Sequence, residues 1–453
     1  MDKNDIVELF EHGVKKVYNF DLHLKTEQID VIHSIINSKN VLGVLPTGFG
    51  KSLCYTLPPL ILDEVDWTCQ HISLVVSPLI ALMKDQVISL NALGVKAGFI
   101  GSEMTQDTKK DIHDGKYSVI FTSPEALVTK TWRSLFLTKE YRERICLFCC
   151  DEAHCISEWG DDFRPDYKRV SEARSFVEAP VLCLTATCTE KILGQIFQCL
   201  GLSKSDTIQI STVPDRPNIY LKIEKCKQEE EQLDWVVDYL LKNGYDSEKI
   251  IIYCRSVKTT AQLYFSIAIK LQQSGIDQRI ADKRIVDMFH KSLDIDTSNQ
   301  ILDEFKKRNS HIRCLIATIA FGMGIQIPDV KLIVNWGAPK SLLTFWQEVG
   351  RAGRDGRQSL AVCYAYPRSF MKSNTDEDMI NLISSESCYR FAIMGTLTLE
   401  SRPSTTLDYI KHKRKCDKKC ITTCKCSFCM CCSFCYNLCP CDNKINILRE
   451  YFY

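Results

Sequence analysis

Val44-Leu45-Pro46-Thr47-Gly48-Phe49-Gly50-Lys51-Ser52 is the stretch whose reading decides the fold. It closes an apolar run of strand length, Val41–Leu45, and leads into a segment with a helical pattern. Two glycines followed at once by Lys and Ser match the phosphate-gripping pattern G-x-x-x-x-G-K-[ST], with Leu45 in the place of the first glycine. The residue types follow from the chemistry. Glycines let consecutive backbone N–H groups face phosphate oxygens, at a helix N-terminus whose dipole favours anions. Thr47, Gly48, Phe49 and Gly50 would form the cradle, Lys51 would reach the β and γ phosphates, and Ser52 would ligate Mg²⁺. A chance Gly-rich turn is the bland reading, and strand, loop and helix standing in register weigh against it.

Outward from this loop, the N-terminal half alternates apolar runs with amphipathic stretches. Strands are expected at Val41–Leu45, His71–Ser77, Tyr117–Thr122, Ile145–Cys150 and Val181–Thr185, with helices such as Glu27–Ile36 and Leu79–Leu93 between them. The strands are nearly continuous in Val, Ile, Leu and Cys, as a parallel sheet covered on both faces requires. A second series follows the Asp215-Arg216-Pro217-Asn218 turn: Lys249–Tyr253, Arg313–Thr318, Lys331–Asn335 and Leu360–Tyr364. The fold class is therefore α/β, with two tandem doubly wound parallel-sheet domains, at residues 1–212 and 213–367. A small helical, Cys-rich subdomain at 368–445 and a tail at 446–453 complete the division. Gln272–Asp296 is long and polar and predicts a surface insertion, while Met379–Leu397 predicts one helix.

Across 453 residues, 57 Lys and Arg balance 56 Asp and Glu, so whole-chain charge argues for no particular partner. Any nucleic-acid site must be local. Gly and Pro, at 20 and 14, exclude collagen-like and low-complexity chains. No apolar run nears the roughly 18 residues that span a bilayer, and no secretory leader is visible, so no membrane role is expected. Cysteine, at 24, is the anomaly. Thirteen lie among Val, Ile and Leu between Cys54 and Cys363, and ten crowd between Cys416 and Cys441. In a reducing compartment such crowding means metal more often than disulfide.

Cys150-Asp151-Glu152-Ala153-His154 ends another apolar strand, where α/β folds bind ligands. Asp151 can hold Mg²⁺ while Glu152 polarises an attacking water. Alone, such a pair is more often a surface turn; the phosphate loop reverses that weighting. Gln347-Glu348-Val349-Gly350-Arg351-Ala352-Gly353-Arg354 sets two arginines three apart, which on a helix share one face and could reach a γ-phosphate. By itself this is a solvated helix end.

In this order the motifs resemble the RecQ family of superfamily 2 helicases, along roughly the first 370 residues. Leu24-Lys25-Thr26-Glu27-Gln28 is similar to the family's adenine-reading motif, with Lys25 where Arg is usual. The resemblance implies that Gln28 bonds the adenine edge and that Phe20 stacks on the ring. Val76-Ser77-Pro78-Leu79 and Thr122-Ser123-Pro124-Glu125 resemble segments that grip the nucleic-acid backbone. Leu184-Thr185-Ala186-Thr187 resembles the segment coupling the ATP and DNA sites, and Arg255 and Thr318 lie in stretches resembling second-domain motifs. Ser157-Glu158-Trp159-Gly160-Asp161-Asp162-Phe163-Arg164-Pro165 is similar to the family's aromatic-rich loop. Trp159 and Phe163 would stack unpaired bases, at about 1–3 kcal/mol each, and Arg164 would add a phosphate or cation–π contact. Buried core aromatics are the bland reading of that spacing. The same resemblance gives His154 and Gln347 places in the catalytic motifs beside Lys51, Asp151, Glu152, Arg351 and Arg354.

The family's zinc module takes one Cys from a helix and three from a short loop. By that pattern Cys388 is the first Zn²⁺ ligand, with Cys416, Cys420 and Cys424 as candidates for the others. A second ion on Cys426, Cys429, Cys432 and Cys435 is open, as is a loosely binding Cys-rich tail. Residues 402–450 carry a net +6, a local basic region suited to phosphates.

The resemblance implies an ATP-dependent 3′–5′ DNA helicase using ATP, Mg²⁺ and Zn²⁺ on single-stranded and tailed duplex DNA. Nuclear residence is expected from that substrate, with Lys411-His412-Lys413-Arg414-Lys415 as a weak signal. A translocase that separates no strands, an RNA helicase and a catalytically idle scaffold are the alternatives. Only twelve residues follow Cys441, so the winged-helix domain of many relatives is not expected, and unwinding is expected to be short-range.

Overall fold

Runs of mostly apolar residues occupy the middle of two sheets, as burial on both faces requires. The structure, a computed structural model, describes the chain apart from residues 19–21, 79, 102–103, 159–168, 281–282, 323–326, 328, 400–425, 427–428 and 442–453. The chain divides into two units, one built on Met1–Pro214 and the other beginning at Asp215.

In the first unit, β1 (Asn40–Val44), β2 (Ile72–Val76), β3 (Ala97–Ile100), β4 (Val119–Thr122), β5 (Ile145–Cys150), β6 (Val181–Thr185) and β7 (Thr207–Ser211) form one sheet in the order β3-β4-β2-β5-β6-β1-β7. Every pairing is parallel. Crossover helices, including Leu53–Val65, Ile80–Ala92 and Glu190–Leu200, make the returns, and Thr26–Ile36 precedes β1. Val41, Leu45, Val75, Phe121, Leu147 and Leu184 pack with Ile32, Leu57 and Ile61 in a continuous core.

In the second unit, β8 (Ile219–Lys225), β9 (Lys249–Cys254), β10 (Val286–Phe289), β11 (Cys314–Ala317), β12 (Val330–Trp336) and β13 (Ser359–Ala365) are ordered β10-β11-β9-β12-β13-β8, again all parallel. The polar stretch Gln272–Asp296 is not wholly a surface insertion, because it carries β10 at the sheet edge. Gln278, whose side-chain oxygen accepts from the Ile285 and Val286 N–H groups at 3.2 and 3.3 Å, anchors the start of that strand. Met379–Leu397 is two helices rather than one, Glu377–Ile383 and Tyr389–Leu397. The break falls at Ser384-Ser385-Glu386-Ser387, where serines compete for backbone hydrogen bonds. Among the described residues, no helix is long and apolar enough to cross a membrane.

The second helix of that pair carries a residue that no sequence pattern singles out. Arg390 is buried, and its guanidinium donates to Asp215 Oδ1 at 2.5 Å, to the Arg216 carbonyl at 2.8 Å and to the Ile219 carbonyl. The fork thus pins the start of the unit to its C-terminal helices. Arg390→Ala would take the cationic partner from the buried Asp215 carboxylate, which keeps the Arg216 N–H at 2.8 Å, and one donor from each of two carbonyls, at about 3–5 kcal/mol. Thermal and urea unfolding are expected to show a loss of that size in the second unit, and Arg390→Lys is expected to recover only part of it.

Candidate nucleotide site and Cys-rich centres

Parallel pairing places the first unit's chemistry-bearing residues on neighbouring strand ends. In the order β4-β2-β5-β6-β1, the residues at or just past the C-terminal edge are Thr122, Ser77, Asp151, Thr185 and the Leu45–Ser52 loop. Backbone hydrogen bonds lock this row: Ser77 N–H to the Thr122 carbonyl at 3.0 Å, Asp151 N–H to Val76 at 2.9 Å, and Leu45 N–H to Thr185 at 2.9 Å.

Gly48 and Gly50 hold φ of +79° and +85°, which L side chains rarely adopt. A Cβ on Gly50 would also come within 2.6 Å of Gln28 Nε2. Gln28 is buried under the loop, where its Nε2 donates to the Phe49 and Gly50 carbonyls at 2.9 and 3.1 Å. Its Oε1 accepts from the Lys25 N–H at 2.8 Å, and the Lys25 ammonium lies 4.1 Å from the Phe49 ring centroid. The residue expected to read a base therefore also clamps the phosphate loop. Lys51 donates to the Leu45 carbonyl at 3.3 Å, across its own loop. Ser52 stands just before the helix Leu53–Val65.

Asp151 is buried at the end of β5, and burial, then the neighbouring Glu152 carboxylate, push its carboxyl up to about 7 against the opposing pull of Lys51. Glu152 sits in the left-handed region at φ +49°, a strained position for a residue with a side chain. Its N–H donates to Asp151 Oδ1 at 3.0 Å, and the following Ala153 N–H donates to the Leu184 carbonyl at 2.8 Å. From here a polar chain leads across the sheet. His154 Nδ1 lies 3.4 Å from Glu152 Oε2 and 3.0 Å from Thr185 Oγ1, and Thr185 Oγ1 donates to the Thr187 carbonyl at 2.8 Å.

In the second unit, Arg255 and Thr318 follow the adjacent strands β9 and β11. The Arg255 guanidinium donates to the Ala338 and Ser369 carbonyls at 3.2 and 2.7 Å, to Thr375 Oγ1 at 3.0 Å and to the Asn374 carbonyl. It therefore braces the segment after β13. Arg351 and Arg354 do not share a helix face: the helix Leu342–Val349, which carries Gln347, ends at Gly350, and turns follow. The reason is a grip that the motif reading missed. Arg216 donates to the carbonyls of Gly350, Ala352 and Gly353 at 2.9, 2.8 and 2.7 Å, and Asn218 Nδ2 to those of Gly353 and Arg357 at 2.8 and 3.0 Å. Gly353, at φ +57°, allows that turn. Glu348 is buried on this helix and accepts from Asn335 Nδ2 at 2.5 Å; burial pushes it up to about 8.

The described cysteines of the tail form two groups of four. Cys388 meets Cys431, Cys432 and Cys435, and Cys426 meets Cys429, Cys439 and Cys441; within each group all Sγ atoms lie within 4.8 Å of one another. Cys388 takes its place at the start of the helix Tyr389–Leu397, with the Phe391 N–H donating to its Sγ at 3.4 Å. Its separation from Cys431 Sγ, 3.6 Å, is close to the roughly 3.8 Å edge of a Zn–S₄ tetrahedron with bonds of about 2.3 Å. All-thiol donors in this spacing fit Zn²⁺. The group seats on the sheet edge, with Leu221 N–H of β8 donating to the Cys431 carbonyl at 3.3 Å. Cys432 and Cys435 thus join Cys388, not Cys426 and Cys429. Cys416, Cys420 and Cys424 lie outside the described residues, as do Phe20, Trp159, Phe163 and Arg164.

Two parallel-sheet units of this kind, the first with a phosphate loop and an acidic pair at adjacent strand ends, define the class of superfamily 2 helicases. The DEAD/DEAH box helicase model matches residues 25–194, and the helicase conserved C-terminal domain model residues 231–356. "Probable ATP-dependent DNA helicase RecS" of Bacillus subtilis (strain 168) is 34% identical over 371 residues, covering 79% of this chain and 69% of that protein. The ATP-dependent DNA helicase RecQ of Haemophilus influenzae is 33% identical over 363 residues, covering 79% and 53%. A protein of Acanthamoeba polyphaga mimivirus named as an ATP-dependent RNA helicase, R290, is 34% identical over 357 residues, covering 78% and 59%. Among solved structures, the DUF1998 helicase MrfA bound to DNA superposes with a TM-score of 0.62 at 17% identity, covering 91% of this chain and 61% of that one, a likeness of fold. The chain belongs to the RecQ family of ATP-dependent DNA helicases. It spans about half to two thirds of the length of these relatives.

The raised Asp151 carboxyl has a consequence for stability. A carboxyl held up to about 7 in the fold, against 3.8 ordinarily, binds its proton more tightly folded than unfolded. Stability of the protein without nucleotide therefore falls as pH rises from about 4 through 7. Asp151→Asn removes that cost, so its melting temperature is expected to exceed wild type at pH 8, by the equivalent of about 2–4 kcal/mol, and to converge with it near pH 4. Equal pH dependence in the two proteins would refute the assignment.

Proposed function

We propose that the chain is an ATP-dependent DNA helicase that translocates 3′ to 5′ on one strand and separates tailed duplexes. The observation that carries this reading is the polar chain Glu152–His154–Thr185–Thr187, which joins the acidic pair to the segment resembling a coupling motif. The loop Thr47–Ser52 holds the nucleotide phosphates, with Lys51 leaving the Leu45 carbonyl to reach them. Gln28 reads the adenine edge by exchanging the loop carbonyls for the base, so that nucleotide arrival is felt by the phosphate cradle; Phe20 and Lys25 complete the base pocket. Asp151, once deprotonated, and Ser52 hold Mg²⁺, which when bound supplies neutralisation of phosphate charge. Glu152 orients the attacking water. Gln347, Arg351 and Arg354 serve the γ-phosphate, and the grip of Arg216 and Asn218 fixes where those arginines emerge. Ser77, Pro78, Thr122 and Thr318 hold the DNA backbone, Trp159 and Phe163 stack bases, and Arg164 adds a phosphate contact. Arg255 positions its neighbours rather than touching DNA. Cys388, Cys431, Cys432 and Cys435 hold a structural Zn²⁺ that supplies folding free energy. Nuclear residence is part of the same proposal.

Phosphate release by purified protein, with and without single-stranded DNA or RNA, tests the reading. Lys51→Ala is expected to abolish turnover while DNA binding persists. His154→Ala is expected to lower basal hydrolysis and, beyond that, to cut the stimulation by DNA roughly 5–150-fold, the usual size of a coupling free energy. Strand displacement is expected for 3′-tailed duplexes and to fall at raised salt, because grip on phosphates releases counterions. Stimulation by RNA alone, or a 5′-tail requirement, would overturn the proposal.

A further inference from the structure

Family resemblance accounts for one four-thiol group, the one containing Cys388. In the second, Cys426 and Cys429, two of the residues open for a second ion by spacing, meet Cys439 and Cys441 instead of Cys432 and Cys435. Cys429, Cys439 and Cys441 are buried, Cys426 is half-buried, and Tyr436 packs against them in a small cluster of their own. Cys426 and Cys439 Sγ stand 3.8 Å apart, the edge length of a thiolate tetrahedron around zinc and far from the roughly 2.05 Å of a disulfide. The Cys429 N–H donates to Cys426 Sγ at 3.3 Å, the kind of outer bond that steadies a thiolate ligand. Among the described residues, no carboxylate or imidazole shares the group. Four sulfur donors select Zn²⁺ over hard cations, and a closed set of four is structural rather than catalytic.

We propose that Cys426, Cys429, Cys439 and Cys441 bind a second structural zinc ion, nested around the first. The order along the chain gives it a purpose. Cys426 and Cys429 precede Cys431, Cys432 and Cys435, while Cys439 and Cys441 follow them. The second ion closes the segment at both ends and holds the three loop ligands of the Cys388 group in reach of β8. Binding at either centre lowers the entropy cost of ordering the other, and the assistance is reciprocal. Each ion displaces the protons of the thiols it binds, so both affinities rise with pH.

The test is metal counting on the full chain, purified under a non-chelating reductant. Elemental analysis is expected to give two zinc ions per chain, and titration with a thiol-reactive mercurial is expected to release them at about four thiols each. Cys439→Ser with Cys441→Ser is expected to leave one, given up to a competing chelator at roughly 10–100-fold lower chelator concentration than in wild type. If that variant does not fold, the mercurial titration of the wild-type chain decides alone: release of one zinc would overturn the proposal. An unchanged count in the double variant, loss of the second zinc on replacing Cys416, Cys420 and Cys424 instead, or a Cys426–Cys439 disulfide in non-reduced peptide maps would also overturn it. A single zinc that disappears in Cys388→Ser would sink the second centre and leave the first standing, and phosphate release reports on the helicase reading separately.

Discussion

Parallel pairing of every strand with its neighbour is the constraint on which the rest of this structure depends. A parallel sheet needs a crossover after each strand, so all turns that follow strands emerge at the same edge. Thr122, Ser77, Asp151, Thr185 and the loop beginning at Leu45 are far apart in sequence and adjacent in the sheet for that reason alone. The second unit repeats the device with Arg255 and Thr318. Continuous apolar strands make such a sheet stable, and the chemistry is confined to one rim that the core holds rigid.

At that rim, charge is kept where water is scarce. Asp151 lies buried next to Glu152, and Glu348 lies buried under Asn335. Both carboxyls are pushed up by burial, to about 7 and about 8, so each stands near the pH at which a small change in surroundings moves its proton. Arrival of a cation near Asp151 would reverse its balance. On the proposed reading Gln28 adds a mechanical counterpart, since the amide that holds the Phe49 and Gly50 carbonyls is the one proposed to read the base. Buried groups with strained or replaceable partners are what a nucleotide-driven machine requires, at a cost to stability that the surrounding sheet offsets.

The Cys-rich segment solves a different problem. β8 is an edge strand, and unpaired edges invite association. Leu221 N–H bonds the Cys431 carbonyl, Arg390 takes the Ile219 carbonyl, and Met430 and Tyr436 add to the apolar core of the second unit. Thiol clusters thereby cover an edge that a segment so short could not cover with a core of its own.

The sequence by itself determined the centre of each sheet, the phosphate loop and the acidic pair, because those features are written locally: an unbroken apolar run, or a fixed spacing around glycine. The strands it left unread are β3, β7, β8 and β10, all at sheet edges, where one side meets water or a neighbouring segment and the apolar signal is diluted. Chain spacing also could not say which cysteines share an ion, since Cys431 and Cys432 leave toward Cys388 while Cys429, two residues earlier, turns toward Cys439. Nor could it show Arg216 and Asn218 catching the carbonyls that end the helix before Arg351, or Arg390 reaching back to Asp215. Those partners are joined across more than a hundred residues of chain. Only the tertiary fold decides them, because a guanidinium or thiol has no local preference for one distant acceptor until packing brings it within bonding distance.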